Sequence, residues 1–454
     1  MKHFDYIIIG SGQAGVPLAF SLAKHGTVAI IEKKHVGGTC VNDGCTPTKA
    51  YVASARRMWD AHHGDDLGIE IQKPAKANLQ KIKDRKDSLV HTSRNGITKS
   101  FEENKNITLI RGEAHFLNNF ELEVDGEKYK GNKIFINVGA RARIPSMYNE
   151  ICYHTNETIL EITEIPEHLI VMGGSYIGLE FGQMFRRFGS QVTIIEHNTK
   201  LIGNEDESVS DAVAEILKLE QIEIVLDAKD NTVTQNDKGQ IIVSHNGKKI
   251  TGSHILLATG RIPNNDTLHL DKTEINLNDK GYIEVDDYCS TNIEGVFAIG
   301  DCNGKGAFTH TSYNDFQIVE DFLLKQKSKK ISDRITTYGL FIDPPLGRVG
   351  MTKKEAQKKG FNLLVGHKKM SEIGRAKEKG ETLGFMEVVI DADTKLFLGA
   401  CVLGVGGDEI ISGITNMMYA KQPYTVIKNA VHIHPTVSEL IPTMLEDLKQ
   451  IESE

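Results

Sequence analysis

One pattern occurs twice in this chain, and few folds can hold both copies. The segment YIIIGSGQAGVPLAFSLAKHGTVAIIE, residues 6–32, reads as an apolar strand, a Gly10-x-Gly12-x-x-Gly15 turn, a helix, and a second strand ending at Glu32. Gly10 permits the tight turn, Gly12 lets backbone approach a pyrophosphate, and Gly15 lets the helix pack against the strand. The helix N-terminus offers unpaired N–H groups to phosphate, and Glu32 is placed to accept hydrogen bonds from ribose hydroxyls. The pattern returns at HLIVMGGSYIGLEFGQMFRRFGSQVTIIE, residues 168–196, with Gly173, Gly174, Gly178 and a terminal Glu196. Ser175 stands where the middle glycine belongs, and it is small enough to leave room for a phosphate. Two such units predict an α/β protein with two Rossmann-like dinucleotide-binding domains. A flavin held permanently and a nicotinamide bound in passing is the economical combination, which makes the chain an electron-transfer enzyme.

The Glu196 carboxylate favours a free 2′-hydroxyl and repels a 2′-phosphate, so NAD(H) is expected over NADP(H). A protonated His197 would soften that preference, and no arginine follows directly to hold a phosphate.

At 454 residues the chain exceeds one core, and its length corresponds to roughly three domains. A net charge of −8 argues against a general nucleic-acid binder. No apolar run approaches the about 18 residues of a membrane span. The first apolar run enters the glycine turn by Gly10, which leaves no room for a secretory leader. A cytoplasmic protein is therefore expected.

Between the two units lies GGTCVNDGCTPTKA, residues 37–50, which carries Cys40 and Cys45. The pair reads as a structural staple, half of a metal site, or a dithiol that cycles during chemistry. Six cysteines in the whole chain do not make a disulfide scaffold, and a reducing compartment disfavours a lasting staple. No second pair or Cys/His cluster completes four zinc ligands, so no metal site is expected. Cys152, Cys289, Cys302 and Cys401 are scattered singly and read as buried thiols. In DADTKLFLG, residues 391–399, Leu396 stands where a calcium loop needs glycine, so the segment reads as a hairpin turn.

With GGTCVNDGCTPTK placed after the first fingerprint and before the second, the sequence resembles the pyridine nucleotide–disulfide oxidoreductases. Three further segments carry the likeness: ILLATGRIPNN (255–265), GVFAIGDC (295–302) and VHIHPTVSE (431–439). The resemblance implies an FAD-binding domain over 1–147 and an NAD(P)-binding domain over 148–268. It adds a central domain completing the FAD site over 269–333 and an α+β C-terminal dimerisation domain over 334–454. It implies a long charged helical excursion at 75–105 within the first domain, and the lysine-rich 325–334 reads as a solvated linker.

The same resemblance assigns roles. Cys40 and Cys45 form a redox disulfide, with Cys45 toward the flavin and Cys40 toward the substrate. Lys49 lies near the flavin's reactive nitrogen and pairs with Glu180. Gly10, Gly12, Gly15, Glu32, Lys49, Gly139 and Asp301 are expected at FAD. Gly173, Gly174, Tyr176, Gly178, Glu196 and Gly260 are expected at NAD, with Tyr176 as an aromatic lid. His434 is the acid–base residue, oriented by Glu439 and delivered to the partner subunit of a homodimer. Pro435 is suited to begin the helix that carries Glu439. His432 and His434 without a third ligand are poor support for a metal.

The acceptor is expected to be a small disulfide, as in dihydrolipoamide dehydrogenase, with metal ions or quinones as the alternative. The tail MLEDLKQIESE holds no cysteine pair to pass Hg(II) inward, so efficient mercury reduction is not expected. Asp43 and Thr46 stand where lipoamide enzymes carry other residues.

Overall fold

The computed structural model describes residues 1–71 and 74–451. Its first unit begins with β1 (Lys2–Ile9), α1 (Gly15–Leu22), β2 (Val28–Glu32), α2 (Gly38–Asn42) and α3 (Cys45–His62). A long helix α4 (Leu79–Glu102) follows, where the charged excursion was expected, and then β3 (Ile107–Arg111). The strands β4 (His115–Asn118), β5 (Glu121–Val124) and β6 (Glu127–Ile136) complete a sheet ordered β3-β2-β1-β6-β5-β4. Strands β1 and β2 pair in parallel, and β2 is buried along its whole length, as an interior parallel strand should be.

After β7 (Ala140–Ala142) the second unit opens with β8 (His168–Met172), α5 (Tyr176–Phe188), β9 (Gln191–Ile195), α6 (Glu207–Leu219) and β10 (Glu223–Val225). A three-stranded antiparallel sheet of β11 (Thr232–Gln235), β12 (Ile241–His245) and β13 (Lys248–Gly252) intervenes before β14 (His254–Leu257). The parallel sheet runs β10-β9-β8-β14. The chain then returns through β15 (Arg261–Pro263), which pairs antiparallel with β7. That ribbon is where the chain leaves one nucleotide unit and re-enters the other. Residues 269–333 build no sheet of their own: β16 (Val296–Ala298) pairs with the second half of β6, and α7 (Thr309–Leu323) packs on α1.

Both units make their turn with the same pair of contacts. A Cβ on Gly10 (φ +98°) would lie 2.3 Å from the Asn137 carbonyl oxygen, and one on Gly15 would lie 2.4 Å from that of Gly10. Gly173 (φ +115°) repeats the first contact against Ala258 at 2.3 Å, and Gly178 repeats the second against Gly173 at 1.9 Å. Alanine has no room at these positions.

The last unit is a six-stranded antiparallel sheet ordered β17-β18-β21-β20-β19-β22. Its parts are β17 (Thr337–Leu340), β18 (Leu346–Gly350), α8 (Lys353–Lys358), β19 (Leu363–Lys369), α9 (Gly374–Glu378), β20 (Phe385–Asp391), β21 (Phe397–Leu403), α10 (Gly407–Tyr419), α11 (Thr425–Lys428), α12 (Leu440–Glu446) and β22 (Lys449–Ile451). The DADTKLFLG segment is the turn between β20 and β21, with Asp391 accepting from Thr394. The expectation that Pro435 begins a helix is corrected here. Residues 436–439 form a turn in which Thr436 Oγ1 accepts from the Glu439 N–H, and α12 begins only at Leu440.

One apolar core joins all three units, with Tyr51 from α3, Leu179 and Phe185 from α5, and Leu340, Leu346 and Leu403 from the last sheet. Beside it lies a buried ionic knot. Arg187 bonds Glu220 at 2.7 Å and Asp343 at 2.5 Å, while Arg56 of α3 reaches the other Asp343 oxygen at 2.6 Å. Removing one partner of such a set leaves an uncompensated buried charge, which costs about 3–5 kcal/mol. Arg187→Met is therefore expected to lower stability by about that amount, read as a fall in the urea midpoint of the flavin-loaded protein. A midpoint unchanged from the native chain would show the knot to be dispensable.

Candidate active site

The two cysteines meet because a short helix breaks. Cys40 lies within α2, which ends at Asn42, and Asp43 and Gly44 turn the chain so that Cys45 opens α3. The sulfurs share a proton unequally. A hydrogen bond from the Cys40 thiol pulls Cys45 down to about 6, helped by the Thr309 hydroxyl and Lys49 against the opposing effect of burial. Cys40 moves the other way, because its contact with Cys45 and its partial enclosure both favour the thiol. The surroundings therefore favour the thiolate on Cys45 over Cys40. The Thr309 Oγ1 lies 3.2 Å from the Cys45 sulfur, and a thiolate there leaves the hydroxyl as the donor. The start of an 18-residue helix adds its own positive end.

One turn along α3, Lys49 Nζ bonds Glu180 Oε2 at 2.8 Å. The other Glu180 oxygen accepts from the Phe341 N–H at 2.9 Å, and the Lys49 ammonium lies 4.3 Å from the centre of the Phe341 ring. These residues line a continuous cleft of about 1940 Å³, together with Gly10, Gly12, Glu32, Gly139 and Asp301. That exceeds the ~300–1,000 Å³ of a drug-sized pocket and suits an extended dinucleotide.

The residues present fit FAD. Gly139 lines the cleft with φ +67°, a conformation that favours glycine. Glu32 takes the Ser11 N–H and hydroxyl on one oxygen and the Lys34 N–H on the other. A carboxylate offers about four acceptor positions, so one remains for a ribose hydroxyl. Asp301 is held by Arg261 at 2.5 Å.

Glu196 repeats this arrangement, with Gly174 N–H on one oxygen at 2.6 Å and Asn198 N–H on the other at 2.8 Å. His197 Nδ1 lies 2.8 Å from the same carboxylate. Gly173, Gly174, Gly178 and Glu196 gather at the start of α5 and the end of β9, outside the cleft that holds the cysteines. Tyr176 does line that cleft, whereas Gly260 (φ +109°) sits in the turn between β14 and β15 with its carbonyl on the Arg143 N–H.

His434 Nδ1 lies 3.0 Å from Glu439 Oε2. The pair is not in this chain's cleft: the His434 side chain is 83% exposed, and Val431 and Ile433 beside it are fully or largely exposed. Among the described residues no three His, Cys, Asp or Glu side chains gather as a metal site, and no described helix is long and apolar enough to cross a membrane. Thr309, Arg261 and Phe341 went unnoticed in the sequence. Only the position of Thr309, eight residues after Asp301 and opening a helix, was a usable signal.

Two neighbouring cysteines beside two nucleotide-binding units are the mark of a disulfide oxidoreductase. Residues 4–315 match the family "Pyridine nucleotide-disulphide oxidoreductase" and residues 336–445 match its dimerisation domain, so the chain belongs to that family. Its members are flavoproteins that use pyridine nucleotides. The chain is 34% identical to the probable pyridine nucleotide-disulfide oxidoreductase RclA of Escherichia coli, over 99% of this chain and 100% of that protein. It is 30% identical to a dihydrolipoyl dehydrogenase of Staphylococcus aureus, over 96% and 94% of the two chains. The solved Cu(II) complex of HOCl-induced flavoprotein disulfide reductase RclA from Escherichia coli superposes with a TM-score of 0.90 and 32% identity, over 98% of this chain and 99% of that one.

Thr309 gives the site a direct test. Site-resolved alkylation of Cys45 in the reduced protein is expected to rise with pH around 6. Hydrogen bonds to charged groups are worth ~1.5–3 kcal/mol, so Thr309→Val should move that profile upward by about one pH unit. An unmoved profile would remove Thr309 from the account.

Proposed function

We propose that the chain passes reducing equivalents from NADH, preferred over NADPH, to the Cys40–Cys45 disulfide and then to a small disulfide acceptor. The His434–Glu439 pair carries this reading, because thiol–disulfide exchange needs a group that takes and returns a proton near Cys40. Bound FAD supplies the transfer of an electron pair from nicotinamide to the disulfide. Gly10, Gly12 and Glu32 would hold its diphosphate and ribose, Asp301 its ribityl chain, and Lys49 its ring edge. Glu196, buried and already clamped to the second glycine turn, supports a 2′-hydroxyl in preference to a 2′-phosphate.

Two electrons break the S–S bond, leaving Cys45 as thiolate and Cys40 as thiol after it takes one proton. His434 of the partner subunit withdraws the Cys40 proton, and Cys40 attacks one acceptor sulfur. The leaving thiolate takes that proton back from His434. Cys45 then attacks Cys40 in the mixed disulfide, the second acceptor thiolate departs with a proton from water, and the internal disulfide is restored. The exposed Val431–Ile433 segment and the dimerisation-domain match support a homodimer in which each His434 serves the other subunit's Cys40. The sparse, unpaired cysteines support a cytoplasmic setting.

A second reading has its own support: the E. coli RclA structure was solved as a Cu(II) complex. Here Cu(II) would be the acceptor, reduced by the open dithiol. A panel of lipoamide, glutathione disulfide, Cu(II), Hg(II) and quinones with NADH separates the readings. Lipoamide turnover lost in both Cys40→Ser and His434→Ala supports the disulfide reading. Cu(II) turnover that survives His434→Ala, with disulfides inert, overturns it in favour of metal reduction. Mixing the two variant chains after reversible dissociation should restore about a quarter of native disulfide turnover, because half of the random dimers hold one complete site. No recovery would refute the shared site.

A further inference from the structure

Tyr176 is held by more than its own helix. It opens α5, and its ring meets Phe308 edge-on at 5.6 Å and Tyr338 edge-on at 5.5 Å. Those two rings are themselves stacked, 5.8 Å apart and 12° from parallel, and Phe308 stacks on His310 at 5.4 Å. The Tyr338 hydroxyl donates to Glu205. Glu205 is paired in turn with Arg348, and both of those side chains are 1% exposed. Asp206 beside it accepts the N–H groups of Lys353 and Lys354 at the start of α8. The loop after β9 is thereby fixed to the last sheet, and Tyr338 is fixed to the loop. Tyr176 and Tyr338 line the same cleft as Lys49, Glu180 and Cys45.

We propose that Tyr338 is a positioning residue that holds the Tyr176 ring across the nicotinamide approach and so sets the affinity for nicotinamide. This rests on the reading of Tyr176 as a lid. A hydrogen bond to the Glu205–Arg348 ion pair fixes one end of Tyr338, and its ring contacts fix the other. A lid anchored this way is shut most of the time. A ligand that must open it binds more weakly by the fraction of open molecules. Aromatic pairs of this kind are worth a few-fold to about tenfold in an equilibrium constant. The binding site itself is unchanged when the anchor is loosened, so the effect falls on affinity rather than on turnover.

The test is calorimetric titration of the oxidised flavin-loaded dimer with NAD⁺, joined to KM and kcat for NADH. Tyr338→Leu deletes the edge contact, and Tyr338→Phe deletes only the tether to Glu205. The expected result is tighter NAD⁺ binding and a lower NADH KM, by roughly three- to tenfold in Tyr338→Leu and less in Tyr338→Phe, with kcat changed by less than that. Tyr176→Ala should reproduce the gain, and adding Tyr338→Leu to it should do nothing more. If Tyr176→Ala tightens binding while neither Tyr338 variant does, the positioning role is refuted and the lid stands. If Tyr176→Ala itself leaves binding unchanged, the lid reading fails and the proposal falls with it. If Tyr338→Leu unfolds, Tyr338→Phe and Phe308→Leu carry the same comparison, since Phe308→Leu removes the other edge contact.

Discussion

The pairing of Lys49 with Glu180 is the constraint on which the rest of the site depends. Glu180 lies on a helix of the second nucleotide unit, with its side chain only 6% exposed. A carboxylate so enclosed needs its charge matched and its oxygens bonded. Lys49 satisfies one oxygen from the first unit, and the Phe341 N–H satisfies the other from the last sheet. Three stretches far apart in sequence must therefore arrive at one point before the carboxylate is stable. Cys45 sits one helical turn from Lys49, so its sulfur is placed by the same convergence. A pair like this adds little net stability. Its consequence is geometric, because it fixes how the redox helix faces the second unit.

The repeat shows how one chain builds two nucleotide units by the same physics. In each, a glycine with positive φ passes under a carbonyl, and a second glycine lets the helix close on the first. In each, the acid at the end of the second strand bonds a backbone N–H of the glycine turn and the N–H two residues beyond itself. Glu32 and Glu196 thus shape the glycine turns through their backbone contacts. Ser175 in place of glycine is tolerated because it serves as the N-cap in extended conformation (φ −113°), where a side chain meets no strain.

The legible parts of this protein were those written locally. Strand, glycine turn, helix and acid lie within about thirty residues, so their period and spacing announced both units. The hairpin at 391–399 was legible for the same reason. The His434–Glu439 contact was foreseen from resemblance alone, and its mechanics were not: a turn through Thr436 brings the two together, and the helix starts later than Pro435 implied. Thr309 and Phe341 were missed because each matters through a neighbour more than a hundred residues away, and Arg261 because its partner Asp301 lies forty residues on. No periodicity records that a threonine will face a particular sulfur.

The unequal cysteines are the clearest outcome of these long-range contacts. In sequence Cys40 and Cys45 are equivalent, two thiols flanking VNDG. In the fold one opens a long helix with Thr309 at its sulfur, while the other lies in the short helix before it, half-buried. Because the thiolate is the nucleophile in thiol–disulfide exchange, a sulfur whose pKa is held low and one whose pKa is held high differ in how readily each attacks at neutral pH. Asp43, between them, is pushed up to about 6 by burial, with Glu157 adding to the effect. Its charge is thereby weakened near the pH at which Cys45 ionises. The departure from the lipoamide-enzyme motif thus places a carboxyl group, weakened as an acid by its enclosure, in the loop between the two sulfurs.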